Sequence, residues 1–121
     1  MSSPTSDSPA TSAAPTIPSI AEVAATVASH PVMAVVRTGT TEEARSQCEQ
    51  FLAAGIRLLE ITFSVPDAVE LTREMLREAP PEVHVGMGTV TDAARAEQAV
   101  AVGAAFVVSP NCSPDVAPIA R

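Results

Sequence analysis

Lysine is missing: all seven basic side chains are arginine. These 121 residues therefore contain no internal primary amine, and a guanidinium, protonated at any working pH, cannot replace one as a nucleophile. Basic charge is scarce in general, with 14 acidic residues giving a formal charge of −7 and a pI near 4.6. Without a basic stripe the chain has no footprint for a nucleic-acid backbone. Tryptophan and tyrosine are also missing, and Phe51, Phe63 and Phe106 are the only aromatics, so the core is expected to be aliphatic and tightly packed. Cys48 and Cys112 have no metal or redox spacing, and each is expected as a free buried thiol. His30 and His84 lack partners at ligand spacing and read as capping or packing side chains. No run approaches the roughly 18 apolar residues of a membrane span, and the N-terminus lacks the basic and apolar regions of a signal peptide. The expectation is a soluble, cytoplasmic chain with neither membrane nor nucleic-acid partners.

Apolar residues make up 46% of the chain. Residues 1–18, MSSPTSDSPATSAAPTIP, hold little of that share and read as a disordered Ser/Pro/Ala/Thr-rich tail. From Ser19 to Arg121 the pattern is that of one domain. SIAEVAATVASH reads as an amphipathic helix with Ser19 and Glu22 in a capping box, ended by Pro31. The β-branched run Val32–Arg37 has the length of a buried strand.

The same unit then recurs. Thr40 caps a helix, with Glu43 at the capping-box position, that runs to Gly55; the strand Ile56–Phe63 follows. Pro66 suits the first turn of the helix PDAVELTREMLREA, which Pro80-Pro81 stops. A strand Val83–Gly88, a helix TDAARAEQAVAV closed by Gly103, and a strand Ala104–Val108 complete the series. Strand centres fall about 24 residues apart, which marks a repeated β/α unit. The acidic residues scattered along the helices read as solvated faces.

Strand–helix repeats with short loops mean a parallel sheet with right-handed crossovers, either doubly wound or a (β/α)8 barrel. In the second strand Leu59, Ile61 and Phe63 fall on one face, and Leu58, Glu60, Thr62 and Ser64 on the other. That split suits a barrel strand, apolar outward against helices and partly polar inward near the mouth. A doubly wound sheet covers both faces and accommodates a mid-strand carboxylate poorly. The barrel is favoured, here as about four β/α units after an N-terminal helix.

Glu60 stands out because an ionised carboxylate inside an apolar strand is costly unless partnered. Desolvation raises a carboxyl pKa toward neutrality and suits it to acid–base work; the competing reading is a structural Glu paired with Arg37. Arg37 ends the first strand, where its guanidinium either binds an anion or simply lies on the surface. Gly86-Met87-Gly88-Thr89 ends the third strand. It fits close approach of a ligand to the backbone, and equally a tight turn. Ser109-Pro110 ends the fourth strand and is a weaker signal.

Three segments, VMAVVRTGTTEEA, AAGIRLLEITFSVPDAVE and VGMGTVTDAARAEQAVAVGAAFVVSPN, together resemble the family of 2-keto-3-deoxy-6-phosphogluconate (KDPG) and 4-hydroxy-2-oxoglutarate (KHG) aldolases. The likeness covers about two-thirds of the chain. It implies a class I aldolase that cleaves a 2-keto-3-deoxy sugar acid phosphate to pyruvate and an aldehyde through a lysine imine, with no metal or other cofactor. It implies Glu60 as the general acid/base. Thr89 and the amides around Gly88 would hold the pyruvyl carboxylate, Arg37 would add positive charge, and Pro110 would line the site. Many members carry a carboxylate-binding arginine where this chain has Ser64, which places more of the anion binding on Arg37. The partner implied is a small keto acid, and the full-length form a homotrimer. The family's imine lysine lies on a sixth strand, and this chain reads as ending inside the helix after its fourth, before that residue. Two other readings remain open: a non-catalytic half-barrel that binds or assembles, and a different barrel enzyme with a similar layout.

Overall fold

The computed structural model describes residues 17–121. The expected tail lies outside them except for Ile17 and Pro18, which line clefts beside the first helix. The elements are α1 (Ile20–Ser29), β1 (Met33–Val36), α2 (Thr41–Ala53), β2 (Leu58–Thr62), α3 (Ala68–Glu78), β3 (His84–Gly88), α4 (Ala93–Val102), β4 (Val107–Val108) and α5 (Ala117–Ala120). All neighbouring strands are parallel, in the order β1-β2-β3-β4. Sequential order decides between the two expected architectures. Right-handed crossovers to successive neighbours put every helix on one face, as in a barrel, whereas a doubly wound sheet reverses its order partway.

The strand register shows the two faces. Ala34, Leu59 and Val85 share one row, and Val36, Ile61 and Met87 another. These six residues are buried in one core with Ala44, Cys48, Leu71, Met75, Ala96 and Ala99 of the covering helices. The alternate rows face the other way: Met33, Leu58 and His84; Val35, Glu60 and Gly86; Thr62 and Gly88. On this second face Val35 is 47% and Met33 36% exposed. α1 reaches its N-terminal end, where Thr26 Oγ1 and His84 Nε2 hydrogen-bond at 3.0 Å.

Local chemistry explains the ends of the elements. Ser19 and Glu22 form the full capping box on α1. Thr40 accepts from the Glu43 amide at 3.1 Å, but its hydroxyl also donates to Glu43 Oε1, so the side chains close on each other instead of completing the box. Gly55 and Gly103 follow α2 and α4 at φ 89° and 94°, the left-handed conformation that ends a helix at least cost to glycine. Pro66 lies outside the first turn of α3. Asp67 holds the N-cap in a left-handed conformation (φ 57°), so the helix starts at Ala68, two residues beyond the proline. β4 pairs regularly over only two residues, although the Ala105 amide donates to Val85 O and the Met87 amide to Phe106 O. Cys48 is buried as expected, and burial pushes its thiol pKa up to about 11; Cys112 is exposed, contrary to expectation. None of the described helices is long and apolar enough to cross a membrane.

Candidate functional site

Arg37, Ser64, Thr89 and Ser109-Pro110 all follow the C-terminal ends of parallel strands, and so gather along one rim. In a β/α sheet this is the end where loops build sites, because nothing but loop covers it. The loops are braced against one another: Thr41 Oγ1 donates to Pro66 O at 2.6 Å, and Ser109 Oγ to Val90 O at 2.6 Å. Thr62, buried at the end of β2, donates to Val36 O at 3.3 Å and pairs with the Ser64 hydroxyl at 2.7 Å.

Glu60 sits in the middle of β2 on the face away from the helices, and is only 5% exposed. Burial pushes its carboxyl pKa above the ordinary value, and the positive charge of Arg37 opposes this in part. The expected alternative of a structural ion pair is not what forms. Among the described residues the ion pairs are Arg45 with Glu74 and Arg73 with Glu70, all on helices. Arg37 is exposed and acts on Glu60 through its charge alone.

What makes room for the carboxylate is Gly88. A Cβ at Gly88 would lie 1.7 Å from Glu60 Oε2 and 2.5 Å from its Cδ, so any larger residue would have to evict the acid. Gly86 plays the same part for Phe106, whose ring would be 2.4 Å from an added Cβ. The space over these two glycines is thus filled by the chain's own side chains. Glu60 and Gly88 are brought into contact, while Ser64 and Pro110 are exposed on the rim above.

Thr89 immediately follows Gly88 in a left-handed conformation (φ 59°). For a β-branched residue this costs roughly 1–2 kcal/mol, so something nearby must hold it. Arg95 reaches the turn: Nη1 donates to Thr89 O at 3.3 Å and to Thr91 Oγ1 at 3.0 Å, and the guanidinium lies 5.5 Å from the centre of the Phe63 ring. Neither Arg95 nor Phe106 stands out in the sequence as a site residue. The signal was present for Phe106 as an aromatic facing a glycine in the adjacent strand. For Arg95 it depends on a backbone turn that threonine rarely makes.

Clefts lined by Pro18, Glu22, His84 and Val85, and by Ile20, Val23, Phe106 and Val107, lie toward α1 and the β4 edge and include neither Glu60 nor Thr89. His84 packs on Thr26, and His30 shares a 3.0 Å hydrogen bond with Ser29 at the end of α1.

Fold and side chains together thus give a set of parallel β/α units of the barrel type, with a buried carboxylate seated on Gly88 below the C-terminal ends of the strands. The family model "Aldolase: KDPG and KHG aldolase" matches residues 23–121, and the chain belongs to that family. It is 36% identical over 81 residues to a 2-dehydro-3-deoxy-phosphogluconate aldolase of Dickeya dadantii, covering 67% of this chain and 38% of the relative. A protein of the same name from Treponema pallidum is 38% identical over 85 residues, covering 70% of this chain and 40% of the relative. Among solved structures, the Zymomonas mobilis ZM4 KDPG aldolase with 3-phosphoglycerate superposes with a TM-score of 0.70 at 30% identity, covering 84% of this chain and 48% of that one. The Legionella pneumophila KDPG aldolase, with pyruvate captured as a covalent carbinolamine, gives 0.66 at 28% identity, covering 78% and 46%. The chain spans about two-fifths of the length of the curated relatives it matches.

Proposed function

We propose that this chain supplies the acid–base and carboxylate-binding part of an imine-forming aldolase site, which cleaves a 2-keto-3-deoxy sugar acid phosphate to pyruvate and an aldehyde. The observation that carries the reading is Glu60: buried, without an ion-pair partner among the described residues, its pKa raised by desolvation, its carboxylate seated on Gly88 next to Thr89. A carboxyl poised in this way can give a proton to the departing water of a carbinolamine and take one back at the next step. Thr89 and the amide beside it are the donors for the pyruvyl carboxylate, and Arg37 adds positive charge to the rim. Ser64 and Pro110 shape the mouth. The captured carbinolamine of the Legionella relative supports pyruvate as the keto acid held here.

No side chain of these 121 residues supplies the amine that forms the imine, since none of them is lysine. That same fact favours a second reading, in which the chain on its own binds or assembles without catalysing. Titration of the isotope-labelled chain with pyruvate, followed by amide shifts, tests the binding claim. Shifts are expected at Gly88 and Thr89, weakened by Thr89→Val and retained in Glu60→Gln. Pyruvate that moves neither amide would remove the carboxylate assignment.

A further inference from the structure

Two local preferences are broken within seven residues, and one side chain connects them. Thr89 is β-branched yet left-handed. Arg95 is the third residue of α4, a helix whose first turn contains no acidic residue, and a cation there opposes the helix dipole. Its guanidinium nonetheless folds back to the strand end, donating to Thr89 O and Thr91 Oγ1 and covering Phe63. Phe63 is itself fixed to the same strand end, its amide donating to Gly88 O at 2.9 Å. Asp92 anchors the helix side by accepting from the Arg95 amide at 2.9 Å. Deviations that converge on one turn mark a place where local preference yields to a site.

We propose that Arg95 is a positioning residue: it locks the Thr89 turn in its left-handed form and so aims the Thr89 amide and hydroxyl at the substrate carboxylate. This rests on the assignment of Thr89 as a carboxylate donor. Arg95 acts through the turn, with its charge spent on the Thr89 carbonyl, the Thr91 hydroxyl and the Phe63 face. Both hydrogen bonds leave Nη1 while the guanidinium carbon lies over the Phe63 ring; a lysine ammonium ends one bond short of that nitrogen and has no plane to lay on the ring, so it does not reproduce all three contacts together.

The test uses the labelled 121-residue chain with pyruvate as probe, comparing Arg95→Met and Arg95→Lys with the parent. Two readouts are taken: the HN–Hα coupling and Cα shift of Thr89, which report its φ, and the midpoint of the pyruvate titration. Both variants are expected to lose the left-handed signature and to weaken pyruvate about tenfold, the factor that corresponds to releasing a strained residue of this kind. Full affinity in Arg95→Lys would mean that charge suffices and would overturn the proposal. An unchanged Thr89 signature in either variant would overturn it too. If Arg95→Met does not fold, Arg95→Lys decides alone. If the parent chain shows no response to pyruvate, the carboxylate assignment fails, while the Thr89 signature still decides whether Arg95 holds the turn.

Discussion

Glu60 and Gly88 constrain each other. The acid occupies the volume a side chain at Gly88 would need, and the glycine gives that acid a seat with no counter-ion in contact among the described residues. A buried carboxyl with a raised pKa leaves a mark on stability. Between the ordinary value of 4.5 and its higher folded value, the native chain holds more protons than the unfolded chain. Stability contributed by Glu60 therefore falls as pH rises through that window, and the penalty is complete above it. Glu60→Gln lacks this titration. Relative to the parent, its melting temperature is expected to gain most at neutral pH, and the difference should shrink to a constant below about pH 4. Calorimetric melts of both proteins across this range check it; a difference independent of pH would mean that Glu60 is not desolvated. Glu60 was legible in the sequence because a carboxylate in LLEITF breaks an apolar run. The reason for Gly88 was not legible, because nothing in GMGT says that the neighbouring strand's acid fills the gap.

Helix ends carried much of what the sequence revealed about the elements. Ser19 and Thr40 cap as the spacing of polar residues indicates, and Gly55 and Gly103 stop their helices; Asp92, expected inside the helix TDAARAEQAVAV, is instead the N-cap of α4. Asp92 does two tasks, since the amide it accepts from belongs to Arg95. Asp92→Ala should cost about 1 kcal/mol of stability, the usual worth of an N-cap, and should also loosen the Thr89 turn. Urea unfolding measures the first effect and the Thr89 couplings the second; loss of stability with Thr89 untouched would separate the cap from the turn. Element boundaries were less legible where tertiary contacts set them. The left-handed Asp67 delays α3 past Pro66, and β4 is limited to Val107–Val108 even though Ala105 and Phe106 also bond to β3. No local pattern separates residues that continue a strand from residues that only touch it.

At the scale of the molecule, among the described residues the four-stranded sheet has helices over one face and leaves the other partly exposed. Val32 is 61% and Val35 47% exposed at the β1 side. A groove of ≈ 540 Å³ lined by Ile20, Val23, Phe106, Val107 and Ile119 runs along the β4 side. Among the described residues both outer strands lack a partner on their outer edge, and a parallel edge beside apolar surface invites pairing with a second copy. The 121-residue chain is expected to self-associate with rising concentration, and Val35→Lys to reduce this; a monomer at all concentrations in sedimentation would contradict it. Association would not supply the amine of the proposed reaction, however, because a second copy brings no lysine either. Aldol cleavage by the imine route needs an unprotonated amine to attack the keto carbon and expel water. The resulting iminium then draws in the electrons of the breaking carbon–carbon bond. Arginine stays protonated, which leaves the N-terminal amine as the only candidate in the chain. Borohydride reduction with pyruvate, followed by intact mass and peptide mapping, is therefore expected to show at most slow labelling at Met1 and no stoichiometric adduct. A stoichiometric adduct at any other position would mean that the amine is not needed from outside, and the division of labour proposed for this site would fail with it.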